Sequence, residues 1–461
     1  MSAAIGASID SAAGPLQLAA GPAARPLLFG AGPGLDLGRF RARVHALAAR
    51  LPEARYVVHL AEDRQQFLLG FCAAALRGQV ALLPPSGAPG TVAEILAAHG
   101  NDGYCLDPAL LARLEAGLPG PEAGPDEPLQ VRAGALAAIG YTSGSTGRSQ
   151  AHAKTWAAFA AGARQNFLAL HDLWGAAQPQ VVATVPAQHM YGMEMSVLLP
   201  LLGGAAVHAG KPLLPADVAR ALEQAQGPRI LVTTPVHLRA LLRSQVALPP
   251  LAGIVSATAP LPQELAAEAE ARYRTEVREM FGSTETCIIA RRRTACEELW
   301  APLPGVRVQA QPDGALVHGP HLPVPMPLAD LVQVREDGHF RLCGRQADML
   351  EIAGKRASLG DLTRRLLAVP GVEDGVVVQL PAQEGEAAVA RLAALAVAPG
   401  LEPGQVLDAL RGVVDPVFLP RPLRLVPALP RNETGKLRRE DLLALLAGHS
   451  SDGTSGPAGG H

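Results

Sequence analysis

The sequence predicts an α/β protein: a large N-terminal domain of helix-covered parallel sheets with a small β-rich subdomain, then a small α+β C-terminal domain. Short apolar runs alternate with helical stretches as far as about Arg293, as in parallel sheets covered by helices. Beyond that residue the pattern changes to short strands separated by turns, which indicates hairpins. From about Asp348, strands and helices mix over a length that suits a small separate domain.

The composition is that of a globular protein. The 461 residues are enough for two or three domains with sizeable cores, and 48% hydrophobic with 18% charged residues argues against disorder. The formal net charge of −2 gives no reason to expect the positively charged surface that a nucleic-acid-binding protein needs. No apolar run approaches the ~18 residues of a membrane-spanning helix, so we expect none.

Cysteine usage and the N-terminus both favour the cytoplasm. The five cysteines lack C-x-x-C spacing, so neither a zinc cage nor a disulfide framework is expected. The first residues lack the basic region and the apolar core of a secretory signal. The sequence therefore predicts a cytoplasmic protein with reduced thiols.

The elements of the large domain follow one another in order. Residues up to about Gly34 are rich in Gly, Ala and Pro and are expected to contain few strands. A first alternation of helices and strands runs through "LGRFRARVHALAARL", "RYVVHL", "RQQFLLGFCAAALRG", "QVALLP", "TVAEILAAHG" and "GYCLD". A second runs through "VVATVP", "EMSVLLPLLGG", "AAVHA", "PADVARALEQAQ", "RILVTT", "PVHLRALLRS", "GIVSAT", "PQELAAEAEARY" and "EVREMFG". Ligands of such sheets bind at the carboxyl ends of the strands.

The C-terminal part divides into hairpins and a compact mixed segment. "VRVQA", "GALVHG", "LVQVRE" and "HFRLCG" predict the strands of the β-rich subdomain, with "REDGHF" as a turn. The small domain has strands "MLEIAG", "EDGVVVQL", "LAALAVA" and "RLVPAL" and helices "LGDLTRRLLAV", "PGQVLDALRGVV" and "RREDLLALLAG". Residues 448–461 are low-complexity and are predicted to be disordered.

The stretch "YTSGSTGRSQ", Tyr141 to Gln150, follows an apolar run and is rich in hydroxyls and glycine. Ser and Thr hydroxyls, with the N–H groups of a glycine-rich loop, make a cradle for phosphate oxygens. The pattern G-x-x-x-x-G-K-[ST] is absent, which disfavours a P-loop kinase or GTPase. Taken alone, the stretch is equally compatible with a Ser/Gly linker.

Three further motifs follow it in a fixed order. They are "FGSTET" from Phe281, "CGRQADMLEIAGKR" from Cys343 and "LPRNETGKLRR" from Leu429. With the hydroxyl-rich loop, this set resembles the adenylate-forming, AMP-binding superfamily: acyl- and aryl-CoA synthetases, adenylation domains of peptide synthetases, and luciferase. The resemblance extends from about Tyr56 to Leu446.

The resemblance implies a two-step reaction that uses ATP and Mg²⁺. A carboxylate attacks the α-phosphate of ATP to give an acyl-adenylate and pyrophosphate, and a thiol then displaces AMP. It also implies that residues 1–343 bind ATP and the acid, that 344–348 form a hinge, and that 349–447 form a mobile lid.

The resemblance assigns roles to individual residues. The loop over the β- and γ-phosphates comprises Thr142, Ser143, Gly144, Ser145, Thr146 and Gly147. Phe281 and Gly282 match the adenine contact, Thr284 the hydroxyl near the α-phosphate, and Glu285 the carboxylate that holds Mg²⁺.

Three more residues complete the implied nucleotide site. Asp330 matches the carboxylate that accepts both ribose hydroxyls, and Arg345 a second contact to ribose and phosphate. Lys436, in "NETGK", matches the mobile lysine that bridges the acid and the α-phosphate, an electrostatic role in the transition state.

The sequence departs from the family pattern at several points. The loop ends in Ser149-Gln150 where the family has Pro-Lys, and Lys154 would restore the charge if the chain is helical by then, since i and i+4 share a face. Ala347 replaces one of two acidic hinge residues. Ala257 and Thr258 replace glycines and narrow the floor of the acid pocket. The N-terminal part before the phosphate loop is also about thirty residues shorter than in the family.

The acid is predicted to be apolar. Val185 to Gly204, "VPAQHMYGMEMSVLLPLLGG", takes the place of the carboxylate pocket, with His189 and Tyr191 as expected contacts. These segments look most like the short ligases of aryl-polyene and xanthomonadin-type pigment pathways, which load an aromatic acid onto the phosphopantetheine arm of an acyl carrier protein. The alternatives are an acyl-CoA synthetase for a medium- or long-chain acid, with CoA as acceptor, and a nucleotide-binding protein without turnover.

Overall fold

The computed structural model describes residues 14–30, 32, 34–116, 127–143, 149–345, 349–352, 355–380, 391–432, 435 and 437–447. The chain divides into two compact units. The first is Met1–Val308 with Val317–Met326 and Glu336–His339; the second is Gln309–Leu316, Pro327–Arg335 and Phe340–His461. The predicted boundaries at 343 and 349 stay a prediction.

The first unit is built on a nine-stranded sheet. Its strand order is Ala301–Pro302, Cys287–Arg292, Val277–Ser283, Gly253–Ser256, Arg229–Thr233, Gln180–Ala183, Ala206–His208, Pro26–Phe29, Leu35–Asp36. The six strands from Val277–Ser283 to Pro26–Phe29 are parallel, and the strands beyond them at both edges pair antiparallel. The predicted parallel sheet is therefore confirmed.

A five-stranded sheet carries the predicted phosphate loop. Its order is Gly103–Leu106, Tyr56–His59, Val80–Leu83, Leu136–Ser143, Ser149–Thr155. The first four strands are parallel, and Ser149–Thr155 returns antiparallel to Leu136–Ser143. Buried apolar side chains of these strands, such as Val58, Leu82 and Ile139, pack into one core.

The structure describes the following helices in the first unit, five of which begin at a capping side chain. They are Leu37–Ala48, Arg64–Leu76, Pro89–Ala98, Pro108–Glu115, Trp156–Leu170, His171–Leu173 (3₁₀), Met190–Met193, Glu194–Leu198 (π), Leu199–Leu202, Pro215–Glu223, Pro235–Ser244 and Gln263–Tyr273. Asp36, Asp63, Asp107, Thr155 and Thr234 each accept a backbone N–H in the first turn of the helix that follows.

The expectation of few strands before Gly34 is wrong. Pro15–Leu18 pairs antiparallel with Leu129–Arg132, and Pro26–Phe29 joins the nine-stranded sheet. Leu16 and Leu18 are buried between exposed neighbours, which is the period-2 pattern of a strand. Its partner lies more than a hundred residues away, so local composition could not reveal the pairing.

The second unit contains the predicted small mixed domain. Asp374–Gln379, Leu392–Val397 and Leu423–Leu425 form one sheet, and Met349–Ile352 pairs with Lys355–Ser358. Its helices are Leu359–Leu367, Pro403–Arg411, Pro416–Phe418 (3₁₀) and Arg439–Ala447. The predicted strands and helices occur in the predicted order, and Lys355–Ser358 is a further strand that was not predicted.

Short strands precede that domain, as predicted. Arg307–Gln311, Gly314–His318 and Met326–Leu328 form a three-stranded sheet, and Asp330–Val334 pairs antiparallel with Phe340–Arg345. The predicted disordered tail, 448–461, lies outside the described residues. Among the residues that the structure describes, no helix combines the length and the apolar character that a bilayer crossing needs.

Candidate active site

The motif "FGSTET" forms the end of a hairpin. Val277–Ser283 and Cys287–Arg292 are its strands, and Ser283 to Cys287, here called the Glu285 turn, connects them. Ser283 N donates to Thr286 Oγ1 and Thr286 N to Ser283 Oγ, both at 3.1 Å, so hydroxyls close the turn. A Cβ on Gly282 would lie 2.1 Å from Cys287 O, so this position requires glycine.

Three predicted segments meet at Gly140 in the strand before the phosphate loop. A Cβ there would lie 2.9 Å from Thr284 Cγ2 and 3.2 Å from Met190 Cε. The structure therefore brings the phosphate-loop strand, the Glu285 turn and the acid-pocket segment to one place.

The carboxyl of Glu285 is held in its charged form. Burial raises the pKa of Glu285. Hydrogen bonds from Ser283 and from its own backbone lower the pKa, as do the charges of His152 and Lys154. The lowering effects are larger, so the pKa falls below the ordinary value of a glutamate. His152 Nε2 lies 3.5 Å from Glu285 Oε1. Burial lowers the pKa of His152, against the raising effect of Glu285, so the imidazole is neutral at neutral pH.

Lys154 is not on a helix, which corrects the premise that placed it beside Gln150 through a helical turn. It lies in the strand Ser149–Thr155, and the helix begins only at Trp156. Its side chain is 6% exposed, and Nζ donates to the backbone oxygen of Glu285 at 2.5 Å. Its binding to ATP stays a prediction; the contact that the structure gives is to the Glu285 turn.

The predicted phosphate loop connects the antiparallel strands Leu136–Ser143 and Ser149–Thr155. Thr142 pairs with Gln150 and Ser143 with Ser149 at the end of the antiparallel ladder. Gly144, Ser145, Thr146 and Gly147 lie outside the described residues, as do the side chains of Thr142 and Ser143.

The predicted adenine residue packs against a neighbouring indole. Phe281 and Trp300 have ring centroids 5.2 Å apart, and the guanidinium of Arg292 lies 4.5 Å from the centre of the Trp300 ring. Two aromatic side chains therefore lie together at this place, and the sequence motif predicted only Phe281.

The acid-pocket segment is a buried helix with an extended entry. His189 precedes Met190–Met193 with φ −74° and ψ 139°, and Gly192 is required because a Cβ would lie 1.9 Å from Pro186 O. Tyr191 is 5% exposed and its hydroxyl donates to Val255 O at 2.8 Å. Burial raises the pKa of Tyr191 well above its usual range, so the phenol stays neutral.

The segment that replaces family glycines is strained at one residue. Thr258 has φ +82°, a conformation that disfavours any side chain, and its Oγ1 is buried with no hydrogen-bond partner among the described residues. Ala257 beside it is buried. Both follow the carboxyl end of the parallel strand Gly253–Ser256, where ligands of such sheets bind.

Two predicted ribose contacts lie together in the second unit. Asp330 and Arg345 are direct partners in the antiparallel ladder of Asp330–Val334 and Phe340–Arg345. The side chain of Arg345 and the rest of the hinge, 346–348 with Ala347, lie outside the described residues.

The backbone on either side of Lys436 is anchored within the second unit, although Lys436 itself lies outside the described residues. Arg431 Nη1 donates to Gly435 O at 2.7 Å, and its Nε and Nη2 donate to the two oxygens of Asp374 at 2.8 and 2.7 Å. Arg431 also forms a backbone bridge with Leu437.

Comparison with known proteins identifies the family. A family model described as AMP-binding enzyme matches residues 39–325. The chain belongs to the AMP-binding enzyme family.

Relatives that match more than half of this chain are named as CoA ligases. A 4-coumarate–CoA ligase of Halorhodospira halophila is 30% identical over 319 residues, or 64% of this chain and 74% of that ligase. One of Rhodobacter capsulatus is 33% identical over 261 residues, 57% of this chain and 64% of that ligase, so the match spans just under two thirds of its length. The indoleacetate–CoA ligase of Aromatoleum aromaticum is 28% identical over 385 residues, 75% of this chain and 72% of that ligase.

Solved structures show the same fold. The amide bond synthetase McbA of Marinactinospora thermotolerans superposes with a TM-score of 0.76 at 20% identity, over 91% of this chain and 97% of that one. The anthranilate CoA ligase AuaEII gives 0.76 at 17% identity, over 92% and 94%. The family model confirms the predicted superfamily, and these structures confirm the predicted fold. The relatives named as CoA ligases support the predicted class of AMP-forming acid–thiol ligase.

The site of this AMP-binding enzyme fits Mg²⁺ with few protein ligands. Among the described residues, no group of three or more His, Cys, Asp or Glu side chains is placed to hold a metal ion. Mg²⁺ is usually bound by one or two carboxylates, with substrate phosphates and waters as its other ligands. A single ionised carboxylate at Glu285 meets that requirement.

Sequence reasoning also missed three ionisable residues around the Glu285 turn of this AMP-binding enzyme. His152, Glu194 and His321 all contact the Glu285 turn or the strand after it. One signal was present: Glu194 is the only charged residue in the apolar stretch from Val185 to Gly204, and charges in such stretches are rarely incidental.

Proposed function

We propose that this chain activates an aromatic carboxylic acid with ATP and then transfers the acyl group to a phosphopantetheine thiol. The observation that carries the proposal is the meeting of the phosphate-loop strand, the Glu285 turn and the acid-pocket segment around Gly140. These are the three parts that adenylation needs: a phosphate cradle, a charged carboxylate for the metal and a place for the acid.

The roles of the chain's own groups follow from their chemistry. Glu285 would hold Mg²⁺, which when bound neutralises charge on the triphosphate. Thr284 would donate its hydroxyl to the α-phosphate, and Asp330 would accept from the ribose hydroxyls. Lys436 would place an ammonium between the acid and the α-phosphate, where negative charge develops as the carboxylate oxygen attacks phosphorus and pyrophosphate leaves.

An aromatic acid is supported by the relatives and by the pocket residues. The relatives that match more than half of this chain are named for 4-coumarate, indoleacetate and 3- and 4-hydroxybenzoate, all of them aromatic acids, whereas the malonate–CoA ligases match only 24% and 25% of it. Tyr191 and Met190 bring an apolar wall to the segment, and both are buried.

We further propose that the acceptor is an acyl carrier protein, as in the aryl-polyene ligases that the motifs resemble. The names of the relatives favour CoA as the alternative. Both acceptors present the same thiol arm, so the nucleotide motifs do not separate them. We retain the cytoplasmic location as part of this proposal, because ATP, CoA and carrier proteins are supplied there.

ATP–pyrophosphate exchange with a panel of aromatic and fatty acids tests the first step. Exchange with hydroxybenzoate- or cinnamate-like acids supports the proposal, and exchange with fatty acids alone favours the acyl-CoA synthetase alternative. Exchange with no acid, although ATP binds, favours a binding protein without turnover. Acyl transfer to CoA and to phosphopantetheinylated carrier protein, compared in parallel, then decides the acceptor.

A further inference from the structure

Three buried ionisable side chains hold the main chain of the Glu285 turn and of Ile288, the residue directly after it. Lys154 Nζ donates to Glu285 O at 2.5 Å, and His321 Nε2 bonds Thr286 O at 2.8 Å. Both carboxylate oxygens of Glu194 lie 3.1 Å from Ile288 N, which donates to them. These side chains, here called the turn clamp, come from a strand, a loop and a helix that are distant in sequence.

All three members of the turn clamp are almost completely buried. Lys154 is 6%, Glu194 3% and His321 2% exposed. Burial lowers the pKa of His321, so its imidazole is neutral and donates from Nε2. Burying an ionisable group is costly unless it is paired, so three such groups around one five-residue turn are not explained by packing alone.

Glu194, like His321, was predicted by no motif. It is the first residue of the π-helical segment Glu194–Leu198, and π-helical turns are frequent at functional sites. Besides Ile288 N, it accepts from Asn166 Nδ2 at 3.2 Å. An apolar residue would fill the same space without a desolvation penalty, but it would leave Ile288 N unpaired.

Glu194 acts on the side of the hairpin that Lys154 does not reach. Lys154 holds the carbonyl of Glu285, before the left-handed residue Cys287 (φ +57°), and Glu194 holds the amide of Ile288 after it. The carboxylate and the ammonium are also close enough for each charge to affect Cys287 between them. The two contacts together fix the backbone on both sides of Cys287, the last residue of the turn that carries Glu285.

We propose that Glu194 is a positioning residue of the ligase reaction: through Ile288 N it fixes the Glu285 turn, so that Glu285 and Thr284 meet the metal and the α-phosphate. This inference rests on the proposed function. It predicts that replacing Glu194 alters the backbone of the Glu285 turn while the rest of the fold is kept.

The test compares Glu194→Gln with Glu279→Gln in the full-length chain. Glu279 is the matched control, because it is a carboxylate 3% exposed in the same hairpin but pairs with Arg292, away from the turn. Amide hydrogen exchange of the segment containing Ile288 is measured in both variants without ligand. The Mg²⁺ concentration for half-maximal pyrophosphate exchange is measured alongside.

We expect Glu194→Gln to increase exchange at Ile288 and to raise the Mg²⁺ half-saturation about 10- to 100-fold, as for residues that orient a metal ligand. Glu279→Gln should leave both unchanged, whatever it does to stability. Unchanged amide exchange and half-saturation in Glu194→Gln, or equal shifts in both variants, would overturn the inference.

Two further arms keep the outcome interpretable. If Glu194→Gln does not fold, Asn166→Ala, which removes one donor and keeps the carboxylate, should shift both readouts in the same direction, and no shift overturns the inference. If the wild-type chain exchanges pyrophosphate with no acid, the proposed function fails, whereas the amide exchange at Ile288 still decides whether Glu194 fixes the turn.

Discussion

Replacing Glu194 by Gln should change how stability depends on pH. Burial raises the pKa of Glu194 to about 7 from 4.5, although the Ile288 N–H, Asn166 and Lys154 act to lower it. The folded protein therefore keeps a proton that the unfolded chain releases as pH rises, so the free energy of unfolding falls with pH. The groups that face Glu194 from its neighbouring elements are Asn166, Lys154 and Cys287.

The magnitude follows from the shift of about 2.5 pKa units at ~1.36 kcal/mol each, about 3.4 kcal/mol in all. About 2.5 kcal/mol of this is lost between roughly pH 5 and 8, since the unfolded carboxyl is already partly ionised at pH 5. Gln does not titrate, so this loss is absent from the variant. Relative to wild type, Glu194→Gln should gain about 2.5 kcal/mol of stability over that interval.

Urea unfolding of both proteins at several pH values measures this difference directly. The other titrating groups occur in both proteins and largely cancel when the curves are subtracted. A difference that stays constant within about 0.5 kcal/mol would refute the reasoning, because the carboxyl would then not be desolvated. A difference that falls with pH would show that the attraction to Lys154 outweighs burial.

Four further predictions concern other parts of the site. Lys436→Ala should slow pyrophosphate exchange about 10²- to 10³-fold, because one electrostatic donor is lost from the transition state; a rate near that of wild type contradicts the role. Lys154→Met should lower the free energy of unfolding in urea by about 3 kcal/mol, because Glu194 loses its neighbouring charge and Glu285 O its donor, and a loss below about 0.5 kcal/mol would argue against the contact. Gly282→Ala should abolish pyrophosphate exchange, since its Cβ would lie 2.1 Å from Cys287 O. Gly404→Ala, which lies in a helix with open space around it, should instead raise the free energy of unfolding by about 0.5–1 kcal/mol. Thr258→Gly should raise the free energy of unfolding by about 1 kcal/mol by relieving a φ of +82°, and a lower melting temperature would show that the strain is compensated.

The fold was predictable wherever a periodic pattern was local. The parallel strands of the nine-stranded sheet are short apolar runs between capped helices, and both signals are present in a few consecutive residues. The alternation in Pro15–Leu18 covers only four residues, too few to predict a strand, and its strand state depends on pairing with Leu129–Arg132. Ser149–Thr155 is similar: "SQAHAKT" has low strand propensity, and its ladder with Leu136–Ser143 imposes the conformation.

The candidate site was predictable where a motif defines a backbone shape. Gly282 has its Cβ position blocked by Cys287 O, and Ser283 and Thr286 close the turn through their hydroxyls, so the motif and the geometry coincide. The groups that support the turn from outside carry no such local signature. Glu194 reaches it across 94 residues of sequence and His321 across 35, so only the folded chain reveals their role.

The position of Lys154 bears on the missing positive charge of the phosphate loop. Residues 150 and 154 share a face of the strand, but four residues of strand span about 13 Å, more than a lysine side chain can bridge. Gln150 is exposed, whereas Lys154 is buried with its ammonium on Glu285 O. An ammonium in a poorly solvated place acts over a longer distance than one in water, because screening is weak there. A charge at Lys154 therefore acts on the Glu285 turn, where it helps to lower the pKa of the carboxyl proposed to bind the metal, and an added lysine at 150 would not substitute for it.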